Sequence, residues 1–215
     1  MNVQKINYQK ELDKILKRLE EEGRVPTLLI HSCCAPCSSY VLEYLSPYFD
    51  IRLLYYNPNI APAEEYGNRL GEVRRLVREM GLTNTVQVVE GAYEPERFRE
   101  IARGLEAEPE GGARCERCFR LRLTEAALAA RDLHADYFTT TLSISPHKNA
   151  ALLNAIGLKL EQMYGVRYLC SDFKKRDGFK RSIALSEQYG LYRQNYCGCA
   201  YSKLAAQAET DTSKG

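Results

Sequence analysis

Short apolar segments alternate with longer amphipathic segments along most of this chain. Residues 27–31, 51–56, 85–90, 137–142 and 166–170 are apolar or β-branched and are predicted to be strands. The segments between them repeat apolar residues at helical spacing. Parallel strands need crossover connections, which these helices would supply. We therefore expect a mostly parallel sheet of about five strands in a three-layer α/β/α arrangement.

The chain is long enough for one such domain. Its 215 residues, 45% of them hydrophobic, can bury a single sizeable core. We expect a helical extension at 1–24, one α/β domain carrying the site at 25–202, and a disordered polar tail at 203–215. No run of about 18 apolar residues and no apolar leader occur, which predicts a cytoplasmic protein without a membrane span.

Three thiols gather where the first predicted strand turns into a helix. Cys33, Cys34 and Cys37 follow the apolar run 27–30 and precede the amphipathic run 40–45. The positive end of a helix dipole lowers the pKa of a nearby thiol and favours the thiolate. In parallel sheets, ligands bind outside the carboxyl ends of the strands. We therefore expect these thiols to bind or react.

The remaining cysteines are also grouped. The chain has eight cysteines, and two further pairs occur, Cys115 with Cys118 near the start of a predicted helix and Cys197 with Cys199. Only Cys170 stands alone, as expected of a small buried apolar residue. Such grouping in a chain without a secretory leader indicates metal binding or redox chemistry rather than structural disulfides.

The spacing leaves the type of metal open. Adjacent residues rarely donate both side chains to one tetrahedral zinc, whereas an iron–sulfur cube accepts neighbouring ligands more easily. Cys33, Cys34, Cys115 and Cys118 would supply its four thiolates, so spacing favours iron–sulfur over zinc. A disulfide within the Cys197-Gly198-Cys199 tripeptide would be strained and readily reduced. That pair would therefore suit an electron relay, or it could bind a further metal.

Other residues give weaker signals. Neither of the two common glycine-rich phosphate motifs is present, so nucleotide binding in that manner is not expected. His147 lies in a polar loop and is a candidate proton donor, whereas His31 is expected to be structural. The net charge is only +2, but basic residues flank two cysteine groups. Those at 69–78 are interpreted as a solvated helix face.

Six ordered segments carry a resemblance to a known family. They are LIHSCCAPC at 29–37, YNPNI at 56–60, RCERCF at 114–119, TTTLSISPHK at 139–148, SDFKK at 171–175 and YRQNYCGC at 192–199. Together they resemble the epoxyqueuosine reductase QueH family and span nearly the whole chain. The resemblance implies an oxidoreductase with a Rossmann-like fold similar to adenine-nucleotide hydrolases. It also implies the last step of queuosine biosynthesis, the reduction of epoxyqueuosine at the wobble position of a tRNA with a GUN anticodon.

The resemblance also implies roles for particular residues. It puts a [4Fe-4S] cluster on Cys33, Cys34, Cys115 and Cys118 and makes Cys197 and Cys199 a redox-active pair. A second metal ion, iron or zinc, is expected beside the cluster, with Cys37, Cys197 and Cys199 as candidate ligands. An external electron donor is required. Candidate contacts to tRNA phosphates are Arg114, Arg117, Lys148, Lys174 and Lys175, and tyrosines could stack on a splayed base.

Two other functions compete with this one. A zinc-stabilised tRNA-binding module would explain the cysteines and arginines without catalysis, but it leaves the strained CxC pair unexplained. A tRNA-sulfur transferase of related fold would use ATP and a persulfide, and the absence of a phosphate-binding loop disfavours it. Iron and sulfide analysis separates the reductase from the first, and an ATP-independent reaction excludes the second.

Overall fold

A computed structural model describes residues 6–212 of the chain. Strands and helices alternate through most of it. The strands are β1 Thr27–Ser32, β2 Asp50–Tyr55, β3 Val86–Glu90, β4 Tyr137–Thr140 and β5 Arg167–Tyr168. The helices are α1 Tyr8–Glu22, α2 Ala35–Leu45, α3 Ala63–Glu79, α4 Pro95–Ala102, α5 Ala113–Asp132, α6 Ala150–Tyr164, α7 Gly178–Gln188 and α8 Ala200–Thr212.

The five strands form one parallel sheet in the order β3-β2-β1-β4-β5. The predicted parallel α/β/α architecture is therefore confirmed. The chain moves outward from β1 to β3, and then returns to the other side of β1 to place β4. The sheet thus has a topological switch point between β1 and β4, where a crevice opens at the carboxyl ends of the strands.

Successive side chains of β1 point to opposite faces of the sheet and enter two different cores. Leu28 and Ile30 pack in a core with α1, α2 and α3 on one face of the sheet. Leu29 points to the opposite face and packs with α5 and α6. A smaller cluster joins Phe98 of α4 to Cys118 of α5 and to Cys199, which lies directly before α8. The sheet is thus covered on both faces, which fixes the position of its carboxyl edge.

The structure differs from the prediction mainly near the carboxyl edge. The predicted strand 137–142 ends at Thr140, and residues Thr141–Ile144 form a 3₁₀ turn instead. That turn lets the chain leave the sheet beside the end of β1. Helices α7 and α8 were not predicted, and in the structure α7 packs against α2. Helix α8 crosses the predicted boundary at 202–203, so the expected tail from 203 begins within a helix.

The N-terminal segment packs against the domain. Leu12, Leu16 and Leu19 of α1 are buried in the first core, and Gly23 ends the helix in the left-handed conformation (φ 60°), as glycine at this position often does. Residues 1–5 of the predicted extension lie outside the described residues. Within residues 6–212, none of the helices combines the length and apolar character needed to cross a bilayer.

Candidate metal centre and substrate cavity

The first part of the site is the turn that joins β1 to α2. Cys33 follows the last residue of β1, and Cys34 is the N-cap of α2 in an extended conformation. Pro36 lies in the first turn of the helix, where backbone N–H groups make no hydrogen bond within the helix. A proline, which has no N–H, therefore costs no helical hydrogen bond there. The amide of Cys33 donates to Thr141 Oγ1 at 3.2 Å, which ties the turn to the chain after β4. Local sequence and one neighbouring loop therefore hold the turn.

Three thiols converge at this turn. The Sγ atoms of Cys33, Cys34 and Cys37 all lie within 4.8 Å of one another, and those of Cys33 and Cys34 are 3.9 Å apart. Two thiolates on one tetrahedral ion, each at about 2.3 Å, are roughly 3.8 Å apart. The three thiols can therefore hold a metal ion. The prediction grouped Cys37 with Cys197 and Cys199, whereas the structure brings it together with Cys33 and Cys34.

Burial and mutual hydrogen bonding separate the pKa values of these thiols. Hydrogen bonds from Cys34 and Cys37 lower the pKa of Cys33 well below its usual value, and nearby positive charges act in the same direction. The hydrogen bond to Cys33 raises the pKa of Cys34 to about 12, and the pKa of Cys37 is raised for the same reason. Cys33 therefore has the lowest pKa of the three thiols.

A buried arginine supplies positive charge behind the thiols. Arg122 of α5 is 1% exposed, and its charge interacts with Cys118, Cys197 and Cys33. Burial alone would lower the pKa of its guanidinium, but these thiols outweigh that and raise it. Its Nη1 atom is buried without a hydrogen-bond partner among the described residues. A buried cation of this kind requires negative charge beside it, which metal-bound thiolates would provide.

Two buried polar side chains hold Arg122 in place. Asn57, which follows β2, accepts a hydrogen bond from Arg122 Nη2 and donates to the Ser32 carbonyl at 2.9 Å. His31 of β1 lies with its Nε2 atom 3.3 Å from Arg122 Nε. Burial, followed by the charge of Arg122, lowers the pKa of His31 to about 3. His31 is therefore neutral and structural, as predicted.

The other four grouped cysteines also come together. Cys115 and Cys118 of α5, together with Cys197 and Cys199, line a small void of about 20 Å³. Burial raises the pKa of Cys118 to about 12. All eight cysteines lie within the described residues, and each is a free thiol. The CxxC and CxC pairs are thus brought together without a disulfide.

A cavity of about 690 Å³ opens beside the three thiols of the turn. Cys33, Cys34, Cys37 and Cys197 lie in its wall. Arg69, Phe179 and Tyr196 also line it. This volume is within the range typical of pockets that bind small molecules, and it is large enough for a nucleoside. A ligand held in the cavity would therefore lie directly beside the thiols.

Two neighbouring residues of the predicted motif take different places in this cavity. His147, the predicted proton donor, lines the cavity but is exposed. Lys148 is half-buried, and its ammonium has no hydrogen-bond or ion-pair partner among residues 6–212. Burial would lower the pKa of Lys148, but Cys197, Cys33 and Cys37 outweigh it and raise the pKa. Lys148 is thus a second cation near the thiols, in addition to Arg122.

The other predicted phosphate contacts do not form one surface. Arg114 is 4% exposed, and it donates to the carbonyls of Leu105 and Glu106 at 3.0 and 2.9 Å, so it has a structural role. Lys174 pairs with Asp172 at 2.7 Å. The exposed candidates are Arg117, which also donates to the Ile101 carbonyl at 3.2 Å, and Lys175.

Sequence reasoning missed two arginines of the site. Arg122 was only one of several arginines near the CxxC pair, and its distance of seven residues from Cys115 carries no motif. Arg69 was interpreted as part of a solvated helix face, which is wrong, because it is 3% exposed and lines the cavity. The spacing of Arg69 with the buried Tyr66 and Val73 was the available signal. Cys170 is half-buried and packs on the second core, away from the thiol groups.

Comparisons with known proteins point to one family. The family model described as epoxyqueuosine reductase QueH matches residues 28–205. An epoxyqueuosine reductase QueH of Streptococcus pyogenes serotype M1 is 45% identical over 201 residues, which cover 93% of this chain and 79% of that protein. The protein of that name from Staphylococcus epidermidis is 44% identical over 208 residues, which cover 95% of this chain and 87% of that protein. The one from Thermotoga maritima is 36% identical over 184 residues, which cover 83% of this chain and 91% of that protein.

Proposed function

The chain belongs to the epoxyqueuosine reductase QueH family, and from this membership we propose that it reduces epoxyqueuosine in tRNA to queuosine. The observation that carries the proposal is the family match over residues 28–205, which includes all seven grouped cysteines. The reaction turns an epoxide into an alkene and releases water, and it consumes two electrons and two protons. An external donor must supply the electrons.

The cysteines are suited to hold the metal groups that such a reaction needs. We propose Cys33, Cys34, Cys115 and Cys118 as ligands of a [4Fe-4S] cluster. Arg122 interacts with both Cys33 and Cys118, so the two pairs face the same buried cation from different elements. Cys37, Cys197 and Cys199 remain the proposed ligands of a second ion, iron or zinc. When bound, these groups supply single electrons and a Lewis acid for the epoxide oxygen.

The protein's own side chains then position the substrate and supply a proton. Among residues 6–212, Lys148 Nζ has no hydrogen-bond or ion-pair partner, and its charge interacts with Cys33, Cys37 and Cys197 at the cavity in which the epoxide would lie. We propose that Lys148 faces this oxygen and gives it a proton as the C–O bond breaks. His147, at the exposed part of the cavity, is then a route for proton replacement from solvent rather than the donor itself.

Binding of tRNA requires cations outside the cavity. The exposed Arg117 and Lys175 are the proposed phosphate contacts. Tyr192 is 52% exposed on the segment before Cys197 and can stack on an unpaired anticodon base. The cytoplasmic location predicted from the sequence agrees with a tRNA substrate.

The test is a set of single serine variants purified without oxygen. Replacing Cys33, Cys34, Cys115 or Cys118 should lower bound iron and sulfide and abolish turnover of epoxyqueuosine tRNA. Cys170→Ser is the matched control, because its thiol lies outside both groups, and it should keep iron and activity. A wild-type iron and sulfide content in any of the four variants would remove that cysteine from the ligand set.

The CxC pair is tested separately. Cys197→Ser or Cys199→Ser should keep the visible absorption of the cluster and lose epoxide reduction. Loss of the whole cluster spectrum would make these residues cluster ligands instead. Zinc without iron or sulfide in the wild-type protein, with tRNA binding but no reduction, would replace the proposal with a zinc-stabilised RNA-binding module.

A further inference from the structure

Residues 189–199, here called the strap, connect α7 to α8 and carry the CxC pair along one side of α3. At the start of the strap, Arg75 of α3 donates to the carbonyls of Tyr189 and Gly190 at 2.9 and 3.3 Å. Farther along, the amide of Tyr192 donates to Glu72 at 2.8 Å. The strap itself is irregular, so its position depends on contacts of this kind rather than on its own backbone hydrogen bonds.

The contacts at the end of the strap converge on Arg69. Its Nε atom pairs with Glu65 at 2.7 Å, and its Nη1 atom donates to the carbonyl of Cys197 at 3.3 Å. The guanidinium lies 5.3 Å from the ring centre of Tyr196, whose hydroxyl reaches Glu65 at 3.4 Å. The side chain of Arg69 is 2% exposed. One buried guanidinium thus contacts two successive residues of the strap.

The residue after Cys197 is held by the same wall. The carbonyl of Gly198 accepts a hydrogen bond from the amide of Ala61 at 3.1 Å. Gly198 has φ 117°, a conformation that favours glycine. A Cβ atom at this position would lie 3.0 Å from Arg69 Nη1 and 3.0 Å from Ile60 Cγ1. The strap therefore approaches Arg69 so closely that only glycine fits beside it.

Cys197 is also where the two cavities meet. It lines both the large cavity and the small void that holds Cys115, Cys118 and Cys199. A thiol in this position must keep its place with respect to both. A misplacement of about 1 Å can cost two orders of magnitude in rate, even when its cause lies away from the chemistry.

We propose that Arg69 is a positioning residue that fixes Cys197 between the substrate cavity and the other cysteines. The inference deepens the proposed function and rests on it for the task of Cys197, but the docking of the strap stands on the contacts alone. The pair of Arg69 with Glu65 is buried, and burying two charges costs free energy. Only well-placed contacts of the kind described above offset that cost, so the pair is not an incidental surface interaction. Lysine cannot replace it, because Arg69 uses its planar fork for an ion pair, a carbonyl contact and a ring contact at once.

The experiment compares Arg69→Lys with two arginine controls on the same helix. Arg74→Met removes an exposed pair with Glu90 that does not touch the strap. Arg75→Met removes contacts to strap carbonyls, but at its start and not near Cys197. Glu65→Gln is a second test variant, since it keeps the side-chain shape and removes the charge that holds Arg69.

The first readout is hydrogen–deuterium exchange of the metal-free, reduced full chain. The amide of Ala61, which donates to the Gly198 carbonyl, reports directly whether the strap is docked. In Arg69→Lys, exchange of the peptide containing Ala61 and of peptides from 194–199 should rise about tenfold or more. Peptides from the core strand β1 should exchange as in the wild type, and Arg74→Met should match the wild type throughout.

The second readout separates positioning from folding and from tRNA binding. Arg69→Lys should keep the dissociation constant for tRNA and lower kcat at least about tenfold, whereas Arg75→Met should leave kcat within about twofold. Wild-type exchange at Ala61 in both Arg69→Lys and Glu65→Gln would overturn the inference. If the proposed function itself were wrong, no variant would reduce epoxyqueuosine, but the exchange result would still support or refute the docking role.

Discussion

Two of the three cysteine segments of the site are held in opposite ways. The turn 33–37 follows directly from β1 and opens α2, so its backbone is part of the sheet and the helix that carry the core. The strap reaches the site after about 190 residues, and side chains of α3 hold it through contacts more than 110 residues apart in sequence. The turn is thus fixed by the fold, whereas the strap is docked onto it.

This difference suits two different tasks. A metal group needs ligands whose positions do not change, and a turn between two regular elements provides that. A residue that reacts with substrate or passes electrons benefits from a segment that can open without unfolding the domain. The strap packs on the first core at its start, through Tyr189 and Leu191, whereas Tyr192 is 52% exposed. The comparison therefore predicts that changes at the turn remove the proposed cluster, and that changes at the strap lower turnover while the cluster stays bound.

The largest effect is expected at Lys148, which lies between the turn and the strap. Lys148→Met should lower turnover by about 10²–10⁴-fold, because a positioned proton donor contributes a factor of that size. His147→Asn, its neighbour in the same loop, is the matched control and should lose much less. Single-turnover rates with epoxyqueuosine tRNA measure both variants. If His147→Asn is the more damaging change, the proton donor predicted from the sequence is the correct one.

A smaller effect is expected when the buried cation behind the turn is removed. Arg122→Met should weaken metal binding by about 10–100-fold, as loss of a supporting polar group around a metal site usually does. Arg120→Met removes an exposed pair with Glu116 on the same helix and should change nothing. Titration of the metal-free protein with Co²⁺, followed by the thiolate charge-transfer absorption, gives both affinities. Equal affinities would show that Arg122 serves the fold alone.

The strap gives the next effect in size. Gly198→Ala places a Cβ atom against Arg69 and Ile60 in an unfavourable backbone conformation, at a cost of about 1–3 kcal/mol. Because the strap is held mainly by side-chain contacts, this cost should appear as faster amide exchange at Ala61 and lower turnover, with the visible absorption of the cluster unchanged. Gly81→Ala is the control, since a Cβ atom there meets open space. Loss of iron in Gly198→Ala would mean that the strap and the turn act as one unit.

The smallest effect is expected at the surface. Lys175→Glu should weaken tRNA binding and lower the slope of log affinity against log salt by about one unit, because each phosphate contact releases close to one counterion. Lys203→Glu, exposed at the start of α8, serves as a comparison. Filter binding at several salt concentrations measures both slopes. An unchanged slope for Lys175→Glu would mean that Lys175 is an ordinary solvated surface residue and does not contact a phosphate.

The sequence by itself determined the architecture and the cysteine turn. Periodicity of apolar residues located the five strands, and a parallel sheet followed because each strand is separated from the next by a helix. Cys33, Cys34 and Cys37 were placed correctly at the carboxyl edge, since strand, turn and helix signals are all local there. Asn57, which follows β2, lies at the same edge and donates to the Ser32 carbonyl.

Only the tertiary structure decided how the distant parts of the site combine. Arg122 and Arg69 resemble any helical arginine in sequence, and their burial depends on which helices pack beside the turn and the strap. Cys115 and Cys118 meet Cys197 and Cys199, and His147 and Lys148 both line the cavity, because contacts between distant elements decide which side chains lie at the site. Local patterns define elements, but charge burial and cavity shape arise from contacts between residues far apart in the chain, which periodicity does not encode.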